Sequence, residues 1–510
     1  MPGVTYHSRA GHWVIAATVL GSALASIDAT VVGIALPVIG RGFRVPLVSV
    51  QWVVTAYLLL LASLLVVGGA LADMFGRRRV FSVGVVWFAT ASAGCALAPD
   101  ATVLIVMRAI QGAGAALLVP GSLAIIEAVF VPDDRSEAIG AWSGLGGVAT
   151  AAGPLLGGFL ISAVSWRWIF LINVPVAVVV LFSSRHIPES RQSPSPSSID
   201  LPGAALVVIA LGGITYGLVQ GQPDGWASAN VLAGLTVGGC AGIAFVEVER
   251  RRPEPMVPLA LLRARQFVVT NATTLLVYAA LSGALFLLPI DLEVVDHYSA
   301  FEAGVALLPL TAIILFLSGP SGRLSARIGP RLQMSIGPIV VGVGLALLAR
   351  TTTDAFYPTG ALPGVLVFAL GLGITVAPLT ATALGSVSDD HAGLASAVNN
   401  DVARIGGLIA VAVLPALAGL SGSAYLHAGE LAHGFRLAAF ICAGWCVAGG
   451  LVSAAGIRNP PRALEVTKSP LHCAIDATPL VGAVAGRSDG RRPDPPPPRP
   501  RRRARGALRT

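Results

Sequence analysis

The sequence predicts an all-α membrane protein made of two related six-helix bundles, with two further helices inserted between them. Three observations carry that prediction. Of 510 residues, 55% are hydrophobic and 12% charged, about half the charged share of a soluble domain. Apolar stretches of roughly 20 residues, the length that crosses a bilayer, recur along nearly the whole chain. Short motifs in the first part of the chain also return in the second part in the same order.

The apolar stretches fall near 13–39, 50–70, 80–98, 101–123, 138–162, 166–184, 201–221, 228–248, 266–289, 301–321, 332–350, 361–386, 393–420 and 434–456, about fourteen in all. An even number places both termini on one side, and arginine placement decides which side that is. With cytoplasmic termini, the inner loops hold fourteen arginines, from Arg77 to Arg331, against five on the outer side (Arg41, Arg44, Arg167, Arg350 and Arg436). Both termini are therefore expected in the cytoplasm.

The internal repeat divides the chain. Gly69, Leu71, Gly76 and Arg78 map onto Gly322, Leu324, Gly329 and Arg331 at a constant offset of 253. Pro37 has a counterpart in Pro289, and "GAGAALLVP" (112–120) has one in "GLGITVAP" (371–378). The expected layout is one six-helix bundle over 1–184, a linker carrying two extra spans over 185–265, and a second bundle over 266–456. A basic Pro/Arg-rich tail, 457–510, follows. Eleven arginines and Lys468 against four acids give that tail 12 − 4 = +8, the whole net charge of the chain. Its composition cannot bury a core, so it reads as a disordered cytoplasmic segment near anionic lipid. Nucleic acid is not implied.

Cys95, Cys240, Cys442 and Cys446 fall within apolar stretches and Cys473 in the tail, so no disulfide framework is expected. Ala23-Leu24-Ala25 resembles a signal-peptidase site. The apolar run continues past it, which argues for an uncleaved first span.

Within that first span, "SALASIDATVVGIALP" (22–37) contains one charge, Asp28. A charged residue at mid-membrane costs about 2.5–3.5 kcal/mol on insertion scales. Desolvation disfavours the charged form of a carboxylate, and the same desolvation suits an acid that must take up and release protons. Asp28 is thus a candidate proton-coupling residue. The alternative is a fixed salt-bridge or hydrogen-bonding element.

In "GALADMFGRRR" (69–79), Gly76 permits a tight turn and Asp73 can cap or attract a neighbouring helix N-terminus. Arg77, Arg78 and Arg79 are expected at lipid headgroups. The spacing of this loop and its echo at 322 make Gly69, Asp73, Gly76, Arg77 and Arg78 a candidate gating element. Arg108 is a permanent charge inside a span, followed by Gln111, and has two possible roles: a structural ion pair, or coupling to substrate and protons. In "ATAAGPLLGGFL" (149–160), Ala149, Gly153 and Gly157 recur every four residues, a face suited to close helix contact, and Pro154 kinks it. Mid-span polar and aromatic residues supply a candidate substrate cavity: Gln51, Trp52, Thr55, Tyr57, Gln111, Asn271 and Asn399.

The order of these motifs resembles the major facilitator superfamily, and more narrowly its fourteen-helix drug:proton antiporters. The resemblance rests on "IDATVVGIALP" (27–37), "QWVVTAYLLL" (51–60), "GPLLGGFL" (153–160), "WRWIFLINVP" (166–175) and "GLASAVNNDVARIGG" (393–407). It implies the major facilitator fold and export driven by inward proton flow. The string containing Gly153, Pro154, Gly157 and Gly158 is associated with antiporters, the position of Asp28 with proton or cation coupling, and Arg108 with the family's transmembrane arginine. Two departures stand out. Ala326 occupies the place of Asp73 in the second copy of the loop. Asp401 adds a mid-span carboxylate, either a further coupling group or a partner for Arg404 three residues on.

The resulting expectation is a monomeric exporter of amphipathic organic compounds, drugs or antibiotics, in a bacterial cytoplasmic membrane. It would work with protons and no cofactor or metal. The alternative is an exporter or uptake symporter dedicated to one endogenous metabolite. An enzyme is not expected. ATP drive is excluded by the single lysine, Lys468, which lacks the preceding glycines of a phosphate loop.

Overall fold

The computed structural model describes residues 4–190, 200–252, 261, 263–350, 356–387 and 392–459. The tail from 460 on, with Lys468 and Cys473, lies outside them, as do linker residues 191–199 and 253–260. Among the described residues the regular structure is helical, with one isolated β-bridge between Val4 and Phe130. A chain in lipid must satisfy its backbone N–H and C=O groups internally, and helices do so within each segment.

Seven helices form the first group: α1 (Arg9–Phe43), α2 (Leu47–Phe75), α3 (Arg77–Leu97), α4 (Ala101–Val129), α5 (Arg135–Ala163), α6 (Trp168–Leu171) and α7 (Asn173–Ser184). Two more, α8 (Leu201–Gln220) and α9 (Ala229–Arg251), pack on each other and reach α2 and α15. The second group is α10 (Arg265–Val294), α11 (Ala300–Ala306), α12 (Leu308–Ile328), α13 (Pro330–Leu348), α14 (Ala361–Gly385), α15 (Ala392–Leu417) and α16 (Ala428–Gly456). Thirteen stretches are long and apolar enough to cross a membrane. The fourteenth, 166–184, is an apolar helix over Trp168–Ser184, too short to count among those thirteen, with a one-residue irregularity at Ile172 between α6 and α7. Pro175 accounts for that irregularity, since its ring has no N–H to donate and crowds the carbonyl of Leu171.

Polar caps set several starts. Asp100 accepts from Val103 N (2.9 Å) at the head of α4, and Asp200 from Gly203 N (2.7 Å) at α8. Ser299 and Glu302 form a reciprocal capping box on α11. The inserted pair is stapled where it begins and ends by Arg252 Nη2 and Asp200 Oδ1, 2.9 Å apart.

Lipid tails are as apolar as leucine, so helices here associate through close packing at small residues. A Cβ on Gly84 of α3 would sit 2.9 Å from Leu118 N of α4, and one on Gly213 of α8 2.9 Å from the Gly238 backbone of α9. The motif glycines of α5 behave as the sequence implied. Gly153 and Gly157 face Thr30 and Val31 of α1, while Gly158 meets the backbone of Ala300 and Phe301 at α11. One apolar core, including Val31, Leu36, Leu287, Leu414 and Tyr425, is shared by both helix groups.

The repeat read from the sequence has a three-dimensional counterpart. Gly76 and Gly329 link α2 to α3 and α12 to α13 at φ values of 105° and 86°, a region that suits glycine. Arg78 N donates to Glu189 Oε1 (3.1 Å), and Arg331 N donates to Asn459 Oδ1 (3.0 Å). Each partner lies just beyond the last helix of its group.

Candidate functional site

Asp28 lies within α1 and is 1% exposed. Three donors from two other helices converge on its carboxylate. Arg108 Nη1 of α4 approaches Oδ2 at 2.5 Å, Gln111 Nε2 donates to Oδ1 at 2.8 Å, and Asn173 Nδ2 of α7 donates to Oδ1 at 3.2 Å. Arg108 and Gln111 share a face of α4 because they are three residues apart. Arg108 Nη1 also donates to Gln111 Oε1 (2.7 Å), which fixes the amide.

A second layer holds the donors. Ser92 of α3 accepts from Asn173 (2.9 Å) and Gln111 (3.2 Å) and donates to the Phe170 carbonyl (2.9 Å). Arg108 Nε donates to the Val53 carbonyl of α2 at 3.1 Å, and its guanidinium lies 4.3 Å from the centre of the Tyr57 ring and 5.8 Å from that of Phe170. Five helices, with the short α6, thus meet around one carboxylate.

Asp28 and Arg108 are thus paired with each other. The pair is neutral as a unit, which is how a buried charge becomes tolerable. A proton on Asp28 would cancel the attraction to Arg108 while leaving Gln111 and Asn173 in place.

The candidate cavity residues separate into groups. Tyr57 and Gln111 belong to the Asp28 cluster. Gln51 Nε2 instead crosses to α15 and donates to the carbonyls of Val411 (2.9 Å) and Ala412 (3.3 Å), and Thr55 Oγ1 donates back to the Gln51 carbonyl (2.9 Å). Trp52 turns toward Tyr216 of α8, ring centres 6.5 Å apart, so it belongs to the contact with the inserted pair. Asn399 Nδ2 donates to Asn271 Oδ1 (3.1 Å) and Thr274 Oγ1 (2.8 Å), joining α15 to α10.

Asp401 and Arg404 do not form the pairing that their spacing allowed. Among the described residues neither takes part in an ion pair, and Asp401 Oδ1 and Arg404 Nε are buried without hydrogen-bond partners.

The loop motif also differs from expectation. Asp73 caps no helix; it pairs with Arg77, four residues on, at 3.0 Å. Arg77 Nη1 donates to the Ala124 carbonyl (2.8 Å) and Arg78 Nη1 to that of Ile187 (3.0 Å), so both engage protein rather than headgroups. Glu189 lies 3.9 Å from the Nε atoms of both Arg78 and Arg79. Gly69 has open space where a side chain would project.

Every described hydrogen bond or ion pair between the two helix groups lies at one end, where α1 runs into α2. Besides Gln51, these are Arg41 with Glu293 (3.2 Å), Leu47 N with the Gly422 carbonyl (2.8 Å) and Tyr425 Oη with the Val45 carbonyl (2.8 Å). The groups are stitched together there and not at the loop-motif end. Sequence reasoning missed Ser92, Asn173, Glu189 and the Arg41–Glu293 pair. Asn173 was the findable one, an amide in the otherwise apolar "IFLINVP".

A helical bundle of this layout, with a carboxylate–arginine pair between its helices, defines a polytopic transporter. The sequence profile of the Major Facilitator Superfamily matches residues 18–411, and the chain belongs to that family. It is 35% identical to a puromycin resistance protein of Streptomyces alboniger over 81% of this chain and 83% of that one. It is 34% identical to the multidrug resistance protein Stp of Mycobacterium tuberculosis over 78% and 74%. The solved structure of peptide transporter POT in complex with sulfate superposes with a TM-score of 0.65 at 15% identity, covering 89% of this chain and 96% of that one. That likeness is one of fold.

Proposed function

We propose that the chain is a proton-coupled antiporter that exports amphipathic organic compounds, drugs or antibiotics, across a bacterial cytoplasmic membrane by alternating access. It would act as a monomer with both termini in the cytoplasm and no cofactor. The observation that carries the reading is the fully buried Asp28–Arg108 pair in a chain whose relatives bear resistance names. The stitched end of the two groups then faces outward, and the substrate path opens inward.

Each half-cycle would trade Asp28's arginine partner for a proton, and the change would be felt by every helix that meets at the carboxylate. Occupancy by proton or cargo then biases the rocking of one helix group against the other about a midplane site. The docking of Gly158 against α11 supports the same reading, because it makes closure of the outer end depend on the absence of a side chain. The test is expression in a host lacking its own efflux pumps, with drug tolerance measured with and without a protonophore. Increased tolerance that the protonophore removes is expected. Tolerance indifferent to the protonophore would refute proton coupling, and accumulation in place of export in oriented vesicles would favour the uptake alternative.

A further inference from the structure

Three polar groups are left without hydrogen-bond partners around the middle of the molecule: Tyr57 Oη on α2, and Asp401 Oδ1 and Arg404 Nε on α15. α2 packs against α15, where Gln51 donates to the Val411 carbonyl. Tyr57 lies six residues along α2 from that bond and Arg404 seven residues along α15, on helices of opposite groups, and Arg404 acts electrostatically on Tyr57 and on Tyr278 of α10. Tyr57 is 2% exposed, and the face of its ring is taken by Arg108, 4.3 Å away. Its hydroxyl is buried and bonds nothing.

A buried polar atom left unpaired costs about 1–3 kcal/mol, and a charged one inside a span marks a substrate or ion pathway more often than a packing element. The charges of the neighbouring cluster do not resolve this. Asp28 is committed to Arg108, Gln111 and Asn173, and no carboxylate oxygen of Asp401 comes within 4 Å of an Arg404 nitrogen. Arg404 is therefore a fixed positive charge, partly exposed, with Asp401 within electrostatic reach but not in contact.

From this we infer that Arg404, with the Tyr57 hydroxyl, is a docking point for an oxygen-acid group on the cargo: a carboxylate, or an ionised phenol or enol, on an otherwise apolar body. The guanidinium takes the oxyanion through directional donors. The tyrosine hydroxyl adds one donor. A permanent cation with the same body meets the Arg404 charge and is disfavoured. This inference rests on the export reading and gives the proposed cargo path a chemical preference.

The experiment uses three probes sharing one apolar body: 1-pyrenebutyrate, 1-pyrenebutanol and a pyrenebutyl trimethylammonium. Uptake into everted vesicles carrying the full chain is measured under an imposed pH gradient. For the native chain the carboxylate is expected to be moved fastest and the ammonium slowest. In Arg404→Gln the carboxylate-to-alcohol ratio should fall about ten- to hundred-fold, the range for a lost charged hydrogen bond. In Arg404→Lys it should fall less. Because a ratio cancels the amount of folded protein, poor insertion cannot imitate the result, and Tyr57→Phe, which keeps the ring, should lower the same ratio several-fold. An unchanged ratio in Arg404→Gln, or a native preference for the ammonium probe, overturns the inference while leaving export intact. If the native chain moves none of the three probes under the gradient, the export reading fails, and this inference with it.

Discussion

Replacing Asp28 by Asn tests the centre of the site. The carboxylate accepts from Arg108 at 2.5 Å, Gln111 at 2.8 Å and Asn173 at 3.2 Å, and is 1% exposed. Asparagine is nearly isosteric but puts an NH2 where an acceptor stood, so at least one donor faces another donor. Arg108, also 1% exposed, keeps its charge and loses its counter-charge. Breaking a buried pair from one side costs about 3–5 kcal/mol. The expected outcome is a marked loss of thermal stability in detergent, together with loss of gradient-driven efflux. Converting Arg108 to Gln in the same chain removes the stranded charge. The double variant should therefore recover a substantial part of the stability, a coupling that exceeds the additivity seen for independent sites, while efflux stays lost. Scanning fluorimetry of the two single variants and the double variant reads the first quantity, and vesicle efflux at matched protein level reads the second. If Asp28→Asn is as stable as the native chain and still transports against a proton gradient, the reasoning about this cluster is wrong.

Gly158→Ala would place a Cβ 2.6 Å from the Ala300 carbonyl oxygen, a backbone atom that cannot swing aside. It should prop open the stitched end, so a cysteine introduced at Val45 becomes more reactive toward a membrane-impermeant maleimide. Gln51→Ala removes the bonds to the Val411 and Ala412 carbonyls and should raise the same reactivity more modestly. Glu189→Gln weakens contacts with Arg78 and Arg79 that are 3.9 Å long and partly exposed. Its effect on stability should stay within about 1 kcal/mol, yet efflux should slow if the loop motif gates the inner face; native efflux rates would remove that role.

How much of this was legible beforehand depended on the range of the interaction. Spans are local: a run of apolar residues in a low-dielectric layer has to be helical, so most boundaries could be read to within a few residues. The close contacts of Gly153 and Gly157 with α1 could be read because small residues four apart lie on one face. Pairings between distant segments could not. Asp28 and Arg108 are 80 positions apart and Arg41 and Glu293 are 252 apart, and nothing in either neighbourhood names the other. Local reasoning also went wrong where a tertiary partner competed, as with Arg77 and Arg78, which turned from lipid to the Ala124 and Ile187 carbonyls. For Asp401 and Arg404, helical spacing made a pair feasible without making it form.

The position of α2 suggests how events at Asp28 reach the stitched end. Arg108 Nε donates to the Val53 carbonyl, and Gln51, two residues earlier on α2, donates across to α15. One guanidinium thus holds both the acid of α1 and the backbone of the helix that carries the stitch. Lysine in place of Arg108 separates these two holds, since an ammonium keeps the charge but lacks the planar fork that reaches Asp28 and Val53 together. Arg108→Lys should therefore keep more stability than Arg108→Gln, because Asp28 retains a counter-charge. It should nonetheless weaken the link to α2, so the reactivity of the Val45 cysteine becomes less dependent on pH than in the native chain. Identical pH dependence in Arg108→Lys and native protein would mean that Val53 carries none of the coupling, and the connection would have to run through α1 alone.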